Sequence, residues 1–221
     1  MSDSDPAKVR IACVDDDTLI REGLAHLLPQ VEVVGTYPRV EDLLADRPAA
    51  DVALVDLWLR APEGEPVHAH GMHGVHAVAQ AGYRVLIYTN ERRRHVLAGC
   101  LAAGASGIVH KSEPLPALRE AVAAVASGGV VITTALAGLV EVVDRRGRIG
   151  RLSPRQIEVL RARARGESYR SIGARLFISP KTAEEYMAEV TRRFSAYLLE
   201  HSAADLERLL GVGPGDLLDP N

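Results

Sequence analysis

The sequence predicts an α/β part with a doubly wound, five-stranded parallel sheet, followed by a small all-α part. Three observations lead to this prediction. Short apolar runs alternate with helically spaced apolar residues over the first 128 residues. A glycine pair, an apolar stretch and a polar, arginine-rich stretch follow at residues 129–150. Beyond them the sequence shows helical patterns only, each preceded by a helix start signal.

The first α/β unit pairs a strand at Val9 to Val14 with a helix whose apolar residues recur from Leu19 to Leu28. The later units repeat this order. Their strands are predicted at Val31 to Tyr37, Ala53 to Val55, Val85 to Tyr88 and Gly107 to Val109. Their helices are predicted around Asp42 to Ala45, near Val75 to Ala81, and at Glu91 to Ala103 and Pro114 to Ala126. Such alternation indicates parallel strands with helices on both faces of the sheet.

Polar side chains stand at or just beyond the ends of these predicted strands. In an open parallel sheet the ligand site lies beyond the carboxyl ends of the strands, so we expect these side chains to converge. Three crowded carboxylates suit a hard divalent cation, and a nearby lysine and hydroxyl suit an anion. The pattern therefore predicts a site for a phosphoryl group. Its residues are Asp15, Asp16, Asp56, Thr89 and Lys111.

With these residues in place, residues 1–128 resemble the receiver domain of a two-component response regulator, which has a flavodoxin-like fold. The resemblance implies that a histidine kinase phosphorylates Asp56. It implies Mg²⁺ as the cofactor, bound directly by Asp16, Asp56 and the carbonyl of Trp58. In the same family pattern Asp15 acts on the metal through water.

The resemblance also assigns roles to residues on the last two strands. It implies that Lys111 pairs with the phosphoryl oxygens, and that Thr89 moves inward and so relays phosphorylation to the surface. Ile108 departs from the family pattern, because many members carry a rotating aromatic side chain there. The relay through this position is therefore expected to be altered or absent.

Two other interpretations of the acidic residues are open. Asp15, Asp16 and Asp17 could cap the following helix, where carboxylates favour the positive end of the helix dipole. Alternatively, the chain could be a phosphatase with an aspartyl nucleophile. Such enzymes carry a second aspartate two residues later, where this chain has Trp58. We therefore predict that the chain is not an enzyme.

The stretch from Arg60 to Gly74 looks like an insertion after the third strand. It holds a group of histidines, with one more just beyond it: His68, His70, His73 and His76. Imidazole binds Zn²⁺ or Ni²⁺ and titrates near neutral pH, so a metal site or a pH sensor is one interpretation. Its prolines and glycines also fit a solvated loop, or a gate over the phosphorylation pocket.

The all-α part begins with a capping-box pattern, in which Ser153 precedes Pro154 and is followed three residues later by Gln156. Helices are predicted at Pro154 to Ala164, at Tyr169 to Leu176, and from Pro180 to about Phe194. This region resembles the LuxR/NarL-type helix-turn-helix domain. We place the domain at residues 151–197, after a linker at 129–150 and before a C-terminal extension at 198–221.

The resemblance implies that the third helix enters the major groove of double-stranded DNA. The residues implied to contact DNA are Lys181, Thr182, Glu185, Arg192 and Arg193. Residues 151–197 carry ten Arg and Lys against five Glu, a charge of +5, so the rest of the −3 chain carries −8. Glu184 and Glu185 stand where relatives usually carry basic or amide residues. A protein-interaction surface is therefore the alternative to DNA binding.

The sequence as a whole indicates a transcription regulator controlled by phosphorylation. No apolar stretch is long enough to cross a membrane and the first residues are acidic, so a cytoplasmic protein is expected. Neither Cys13 nor Cys100 suggests a disulfide or a metal finger. Family analogy implies a homodimer. An atypical receiver that phosphorylation does not control is the remaining alternative.

Overall fold

The computed structural model of this chain describes residues 8–59, 71–131, 140–141, 144–145, 150–200, 205 and 208. Its first part alternates strands and helices, which confirms the predicted α/β class. The strands are β1 (Val9–Val14), β2 (Val31–Tyr37), β3 (Val52–Val55), β4 (Arg84–Thr89) and β5 (Ala105–His110). The helices are α1 (Thr18–Leu27), α2 (Val40–Asp46), α3 (Gly71–Gln80), α4 (Arg94–Ala102) and α5 (Leu115–Ala126).

The five strands are parallel and lie in the order β2-β1-β3-β4-β5. The chain moves from β1 outward to β2 and then crosses back to β3 on the other side of β1. The direction of winding therefore reverses between β1 and β3, where Val14 lies opposite Val55. In doubly wound sheets ligands bind at this reversal. Asp15 and Asp56, the next residues on each strand, leave the sheet side by side there.

Successive residues of β1 pack on opposite faces of the sheet. Ile11 and Cys13 belong to a core that includes residues of α1 and α5. Ala12 and Val14 belong to a core that includes residues of α2, α3 and α4. Because β1, β3 and β4 have helices on both faces, their sequences are almost continuously apolar. Cys13 and Cys100 are both buried free thiols.

The second part contains three helices among the described residues: α6 (Pro154–Ala164), α7 (Tyr169–Leu176) and α8 (Pro180–Glu200). The predicted capping box is present, since the Ser153 hydroxyl accepts from the Gln156 N–H and the Gln156 side chain accepts from the Ser153 N–H. Ser168 caps α7 with its hydroxyl, which accepts from the Ser171 N–H at 3.2 Å. The turn into α8 passes close to α7, where a Cβ on Gly173 would lie 2.7 Å from the Ile178 carbonyl oxygen.

Helix α8 is longer than the sequence pattern indicates. The expected end is near Phe194, whereas the helix runs to Glu200 and has 21 residues. No glycine or proline lies between residues 181 and 200 to stop it. Phe194 and Tyr197 are buried, and their ring centroids are 6.5 Å apart. Their burial stabilises the continuation, so the predicted boundary at residue 198 falls within a helix.

Several predicted features lie outside the described residues. His68 and His70 belong to the segment at 60–70, which the structure does not describe, while His73 and His76 lie on α3. Much of the linker at 129–150 and most of the extension at 198–221 also fall outside. Across the parts that are described, no helix combines the length and the apolar character that a membrane span requires.

Candidate functional site

An acidic cluster lies where the winding of the sheet reverses. Asp15, Asp16 and Asp56 each contribute a carboxylate oxygen, and these oxygens lie within 4.8 Å of one another. The fold holds them together because the Asp56 N–H donates to the Val14 carbonyl at 2.8 Å. Asp15 and Asp56 are only 1% and 8% exposed. The structure thus brings together three of the predicted site residues, in an all-oxygen donor set that suits Mg²⁺.

Lys111 reaches this cluster from the far end of β5. Its Nζ lies 2.8 Å from an Asp15 oxygen and 2.7 Å from an Asp56 oxygen. Burial acts to lower the pKa of Lys111, but hydrogen bonds to both carboxylates outweigh this effect and raise it. Burial also raises the pKa of Asp15, although Lys111 opposes that change. The site therefore combines a charged ammonium with carboxylates that gain stability from additional positive charge.

Asp17, next to this cluster, shows that the capping interpretation is correct for one aspartate. The Asp17 side chain accepts from the Leu19 N–H at 2.9 Å and caps α1. Asp15 instead accepts from the Asp17 N–H through one oxygen and binds Lys111 through the other. Helix capping and the acidic cluster are thus adjacent but separate functions of this Asp-rich turn.

Thr89 connects the cluster to the loop that follows β4. The residue is fully buried, and its hydroxyl oxygen lies 3.3 Å from the Glu91 backbone nitrogen, which donates to it. The Thr89 carbonyl accepts from the Lys111 N–H at 2.8 Å. A displacement of the Thr89 hydroxyl would therefore release a hydrogen bond that holds the loop at residues 90–93.

The loop clamp, which we define as Trp58, Glu91 and Arg93, joins this loop to the one after β3. Glu91 is 7% exposed and accepts from Trp58 Nε1 at 3.2 Å and from the Arg93 guanidinium at 2.8 Å. It also accepts from the backbone N–H groups of Arg92 and Arg93. Although burial acts to raise it, these hydrogen bonds lower the pKa of Glu91 to about 2. The Arg93 guanidinium lies 5.3 Å from the centre of the Trp58 ring.

His110 holds the same loop from the side of β5. Its Nε2 lies 3.0 Å from the Asn90 carbonyl oxygen and 3.3 Å from Nε of Arg92. Its Nδ1 lies 2.6 Å from the Ser112 hydroxyl. Ile108, the predicted departure from the family pattern, is fully buried in β5. A polar link between β5 and the loop is therefore made by His110, two residues later.

Sequence reasoning did not identify the loop clamp or His110. It also extended α4 back to Glu91, whereas the helix begins at Arg94, because the Glu91 carboxylate binds the preceding backbone N–H groups. A signal was available for the clamp. Trp58 and Glu91 each lie two residues beyond a predicted site residue, in the loops that follow the neighbouring strands β3 and β4.

The predicted recognition helix, α8, has a clear buried face and an exposed face. Ala183, Met187, Val190 and Phe194 are buried, as their helical spacing predicts. The exposed residues include Lys181, Glu184, Glu185, Ala188 and Arg192. Thr182, another predicted DNA contact, pairs with Ser179 at the start of the helix, with its backbone N–H 2.9 Å from the Ser179 hydroxyl.

Arg192 and Arg193, both predicted to contact DNA, bind a carboxylate of their own helix. Arg192 Nε lies 2.8 Å from Glu189 and Arg193 Nε lies 2.7 Å from it. Hydrogen bonds from both arginines lower the pKa of Glu189 to about 2. The spacings of three and four residues are those at which helical side chains meet, so the sequence contained this signal. Both arginines are partly neutralised before any partner binds.

Ion pairing extends over much of the second part. Six of its ten cations form an ion pair with a carboxylate within 3.0 Å. Glu167, for example, binds both Arg165 and Arg175. The paired cations are Arg155, Arg161, Arg165, Arg175, Arg192 and Arg193. This pairing leaves the net charge of +5 unchanged, since that sum already counts the glutamates of residues 151–197, but it directs these side chains towards carboxylates and away from a polyanion.

Part of the exposed face of α8 lies towards the first domain. A cavity of about 840 Å³ is lined by Glu113, by Glu120 of α5, and by Glu184, Ala188 and Arg192 of α8. Arg163 and Tyr169 also line it, with the guanidinium 4.6 Å from the ring centre. Glu185 is exposed and is not among the lining residues. The two domains thus share one water-accessible boundary beside the predicted recognition helix.

Comparisons with known sequences find relatives of similar length. The family model described as "Bacterial regulatory proteins, luxR family" matches residues 151–202. The response regulator RamR of Streptomyces coelicolor is 31% identical over 195 residues, covering 85% of this chain and 90% of that protein. A probable transcriptional regulatory protein, NarL of Mycobacterium tuberculosis, is 30% identical over 201 residues, covering 85% and 88%.

Among solved structures, the chain is similar to the response regulator RcsB of Salmonella typhimurium. The two are 23% identical with a TM-score of 0.54, and the match covers 88% of this chain and 98% of RcsB. A structure of an RcsB–DNA complex matches with 23% identity and a TM-score of 0.53, covering 92% of this chain and 98% of that one. At this level of identity the likeness supports the two-part fold.

Proposed function

The chain belongs to the response regulators that join a receiver domain to a LuxR-type helix-turn-helix domain, and we propose that phosphorylation of Asp56 by a histidine kinase controls its binding to DNA and hence transcription. The observation that carries this proposal is the geometry at Asp56. Its carboxylate lies in a buried acidic cluster and already contacts the ammonium of Lys111. Both are features that phosphoryl transfer to an aspartate requires.

In the proposed reaction an Asp56 oxygen attacks the phosphorus atom of a phosphohistidine. A P–O bond to Asp56 forms as the P–N bond breaks, and the electron pair of that bond leaves with the imidazole. Lys111, at 2.7 Å from Asp56, is placed to neutralise the phosphoryl oxygens. Mg²⁺, when bound by Asp15, Asp16, Asp56 and the Trp58 carbonyl, would supply further charge neutralisation.

The proposed signal then passes through Thr89. If the Thr89 hydroxyl turns towards the phosphoryl group, it gives up the N–H of Glu91, at 3.3 Å in this structure. The loop at residues 90–93 is held by Trp58 on one side and His110 on the other, so its release alters contacts on both neighbouring strands. This is a discrete rearrangement of the kind that couples a modification to a surface.

The proposed output is insertion of α8 into the major groove, with Lys181, Thr182, Glu185, Arg192 and Arg193 at the interface. Because α8 shares a cavity with α5, the domains must separate before the whole helix can enter DNA. RcsB, which has a similar fold, has been solved with DNA and, for its isolated receiver domain, with the phosphomimetic BeF3⁻. By analogy with RcsB dimers on DNA, we propose a homodimer that reads two half-sites.

The alternative output is a protein-interaction surface. The neutralisation of Arg192 and Arg193 by Glu189 favours it, because it removes positive charge from the helix that would face phosphates. The two outputs are separated by measuring phosphate uptake and DNA binding on the same preparation.

The test compares the full chain with Asp56→Asn and, as a matched control, Asp17→Asn. Asparagine caps helices as well as aspartate does, so the control keeps α1 intact while changing the same residue type. With Mg²⁺ and acetyl phosphate, the wild type and the control should gain a phosphoryl group, measured by intact mass. Phosphorylation should then raise the affinity for DNA at fixed salt. No uptake would contradict the proposal, and uptake without DNA binding would favour the protein-interaction output.

The metal can be tested separately because the chain has a single tryptophan, Trp58. Its indole is 49% exposed and binds Glu91 beside the acidic cluster. Titration with Mg²⁺ should change its fluorescence saturably, and Asp16→Asn should weaken the response. An unchanged spectrum, together with an unchanged melting temperature at millimolar Mg²⁺, would contradict a metal site here.

A further inference from the structure

The exposed face of α8 carries two carboxylates that differ from all others in the helix-turn-helix domain. Glu158, Glu167 and Glu189 each bind at least one arginine within 3.0 Å. Among the residues that the structure describes, neither Glu184 nor Glu185 accepts a hydrogen bond or forms an ion pair. Their acceptor oxygens are therefore available to a partner.

The buried face of the helix fixes where these two side chains point. Ala183 and Met187 pack into the domain, so Glu185, about 200° around the helix from Ala183, points away from it. Lys181 lies one turn before Glu185 on the same outer face, and both are exposed. Glu184 flanks this face on the side of the interdomain cavity. A duplex that receives the first turns of α8 would meet Glu185 first among the carboxylates.

An ionised carboxylate has acceptors and no donors, which restricts its partners in a major groove. Phosphates repel it, as do the N7 and O6 acceptors of guanine. The donors on base edges are the amino groups of cytosine and adenine. Adenine presents its N7 acceptor beside that amino group, whereas the exposed edge of cytosine offers the N4 donor without an adjacent acceptor. Cytosine is therefore the base that a glutamate at this position favours.

We propose that Glu185 is a specificity-determining residue that selects cytosine within each operator half-site. Lys181, one turn earlier, lies where a phosphate contact would offset the repulsion of the carboxylates by the DNA backbone. This inference rests on the proposed DNA binding and adds the class of base that is read. The role is assigned to Glu185 because its side chain is exposed and points outward, and because its oxygens accept no hydrogen bond from the described residues.

The inference makes a clear prediction for Glu185→Gln. An amide both donates and accepts, so it pairs with N7 and N6 of adenine. The substitution should shift the preferred base at a half-site position from cytosine to adenine. The preference should change on the order of tenfold, the size expected for a paired base contact.

The experiment selects bound sequences from random double-stranded DNA with the phosphorylated full chain at fixed salt. It compares the wild type with Glu185→Gln, Glu184→Gln and Glu158→Gln. Glu158 is the matched control, since it is an exposed glutamate on α6 and its loss removes the same charge. Circular dichroism verifies that each variant keeps its helices. The readout is the ratio of cytosine to adenine at each position, because loss of negative charge alone raises affinity for every sequence.

The result expected is enrichment of cytosine by the wild type and by Glu158→Gln, and of adenine at that position by Glu185→Gln. A uniform gain in affinity for Glu185→Gln without a change in base preference would overturn the inference while leaving DNA binding intact. If neither the wild type nor any variant retains DNA of any sequence although phosphorylation is measured, both the proposed DNA binding and this inference are contradicted.

Discussion

The receiver and helix-turn-helix domains both depend on charged residues, but they hold them in opposite environments. Lys111 is 14% exposed and binds carboxylates that are 1% and 8% exposed. On α8, the side chains of Arg192, Arg193 and Glu189 are 69%, 31% and 30% exposed. Buried charges interact strongly because little water screens them, whereas exposed pairs contribute little. This difference in exposure explains why the residues proposed for phosphoryl transfer lie in the first domain, where their charges are little screened by water.

The comparison also changes how the charge of the second domain is understood. A formal charge of +5 suggests a surface that attracts DNA without regard to sequence. The structure pairs six of the ten cations with carboxylates, so these six side chains are less available for contacts with phosphates. Binding to DNA is then expected to depend more on contacts with particular bases than on overall charge.

The largest effect is expected from Lys111→Met, which removes the cation of the buried site. Asp15 and Asp56 would face each other without compensation, and breaking a buried pair costs about 3–5 kcal/mol. Urea unfolding without metal measures this loss. Lys8→Met is the matched control, because Lys8 is exposed and its ammonium donates to the Pro29 carbonyl and not to a carboxylate among the described residues. Recovery of part of the stability by Mg²⁺ is expected, and a stability equal to that of the control would contradict a strongly coupled site.

An intermediate effect is expected from Glu91→Gln, which weakens the loop clamp. The loss should be about 1–3 kcal/mol, because Arg93 and Trp58 lose a charged acceptor. The pKa of Glu91 is about 2 in the folded chain and 4.5 ordinarily, so its contribution is complete above pH 4.5 and is lost as the pH falls towards 2.

The pH dependence tests this assignment. The stability difference between the wild type and Glu91→Gln should be constant near neutral pH and shrink below pH 4.5. Glu22→Gln, on the exposed side of α1, is the matched control and is measured over the same pH range. A difference that is independent of pH down to acid unfolding would show that packing, and not the charge of Glu91, holds the clamp.

The smallest effect on stability is expected from Glu189→Gln, because exposed ion pairs contribute little to stability. Its effect on DNA binding should be visible, since Arg192 and Arg193 are released. The slope of log affinity against log salt should become steeper by about one for each new phosphate contact. Glu158→Gln, which releases Arg155 on another helix, is the control. An unchanged slope would indicate that these arginines do not approach the DNA backbone.

The comparison of the two domains also shows how far sequence reasoning extends. The bounds predicted for β1, β2, α6 and α7 agree with the structure, because helical spacing, apolar runs and capping residues are local signals. The end of α8 was placed too early because nothing local marks the burial of Tyr197. Local sequence signals thus predict where a helix or strand lies, but they do not predict how far a helix continues when tertiary packing stabilises its end.

For the site, the sequence alone determined that Asp15, Asp56, Thr89 and Lys111 stand at strand ends, and parallel strands bring such residues to one edge. Only the tertiary structure decided that Trp58 binds Glu91 and that His110 holds the loop at Asn90. It also decided that Arg161 binds Glu141 and that Arg175 binds Glu167. The physical reason is that the pattern of apolar residues marks where each strand ends, whereas side-chain partners depend on distances between loops that are far apart in sequence.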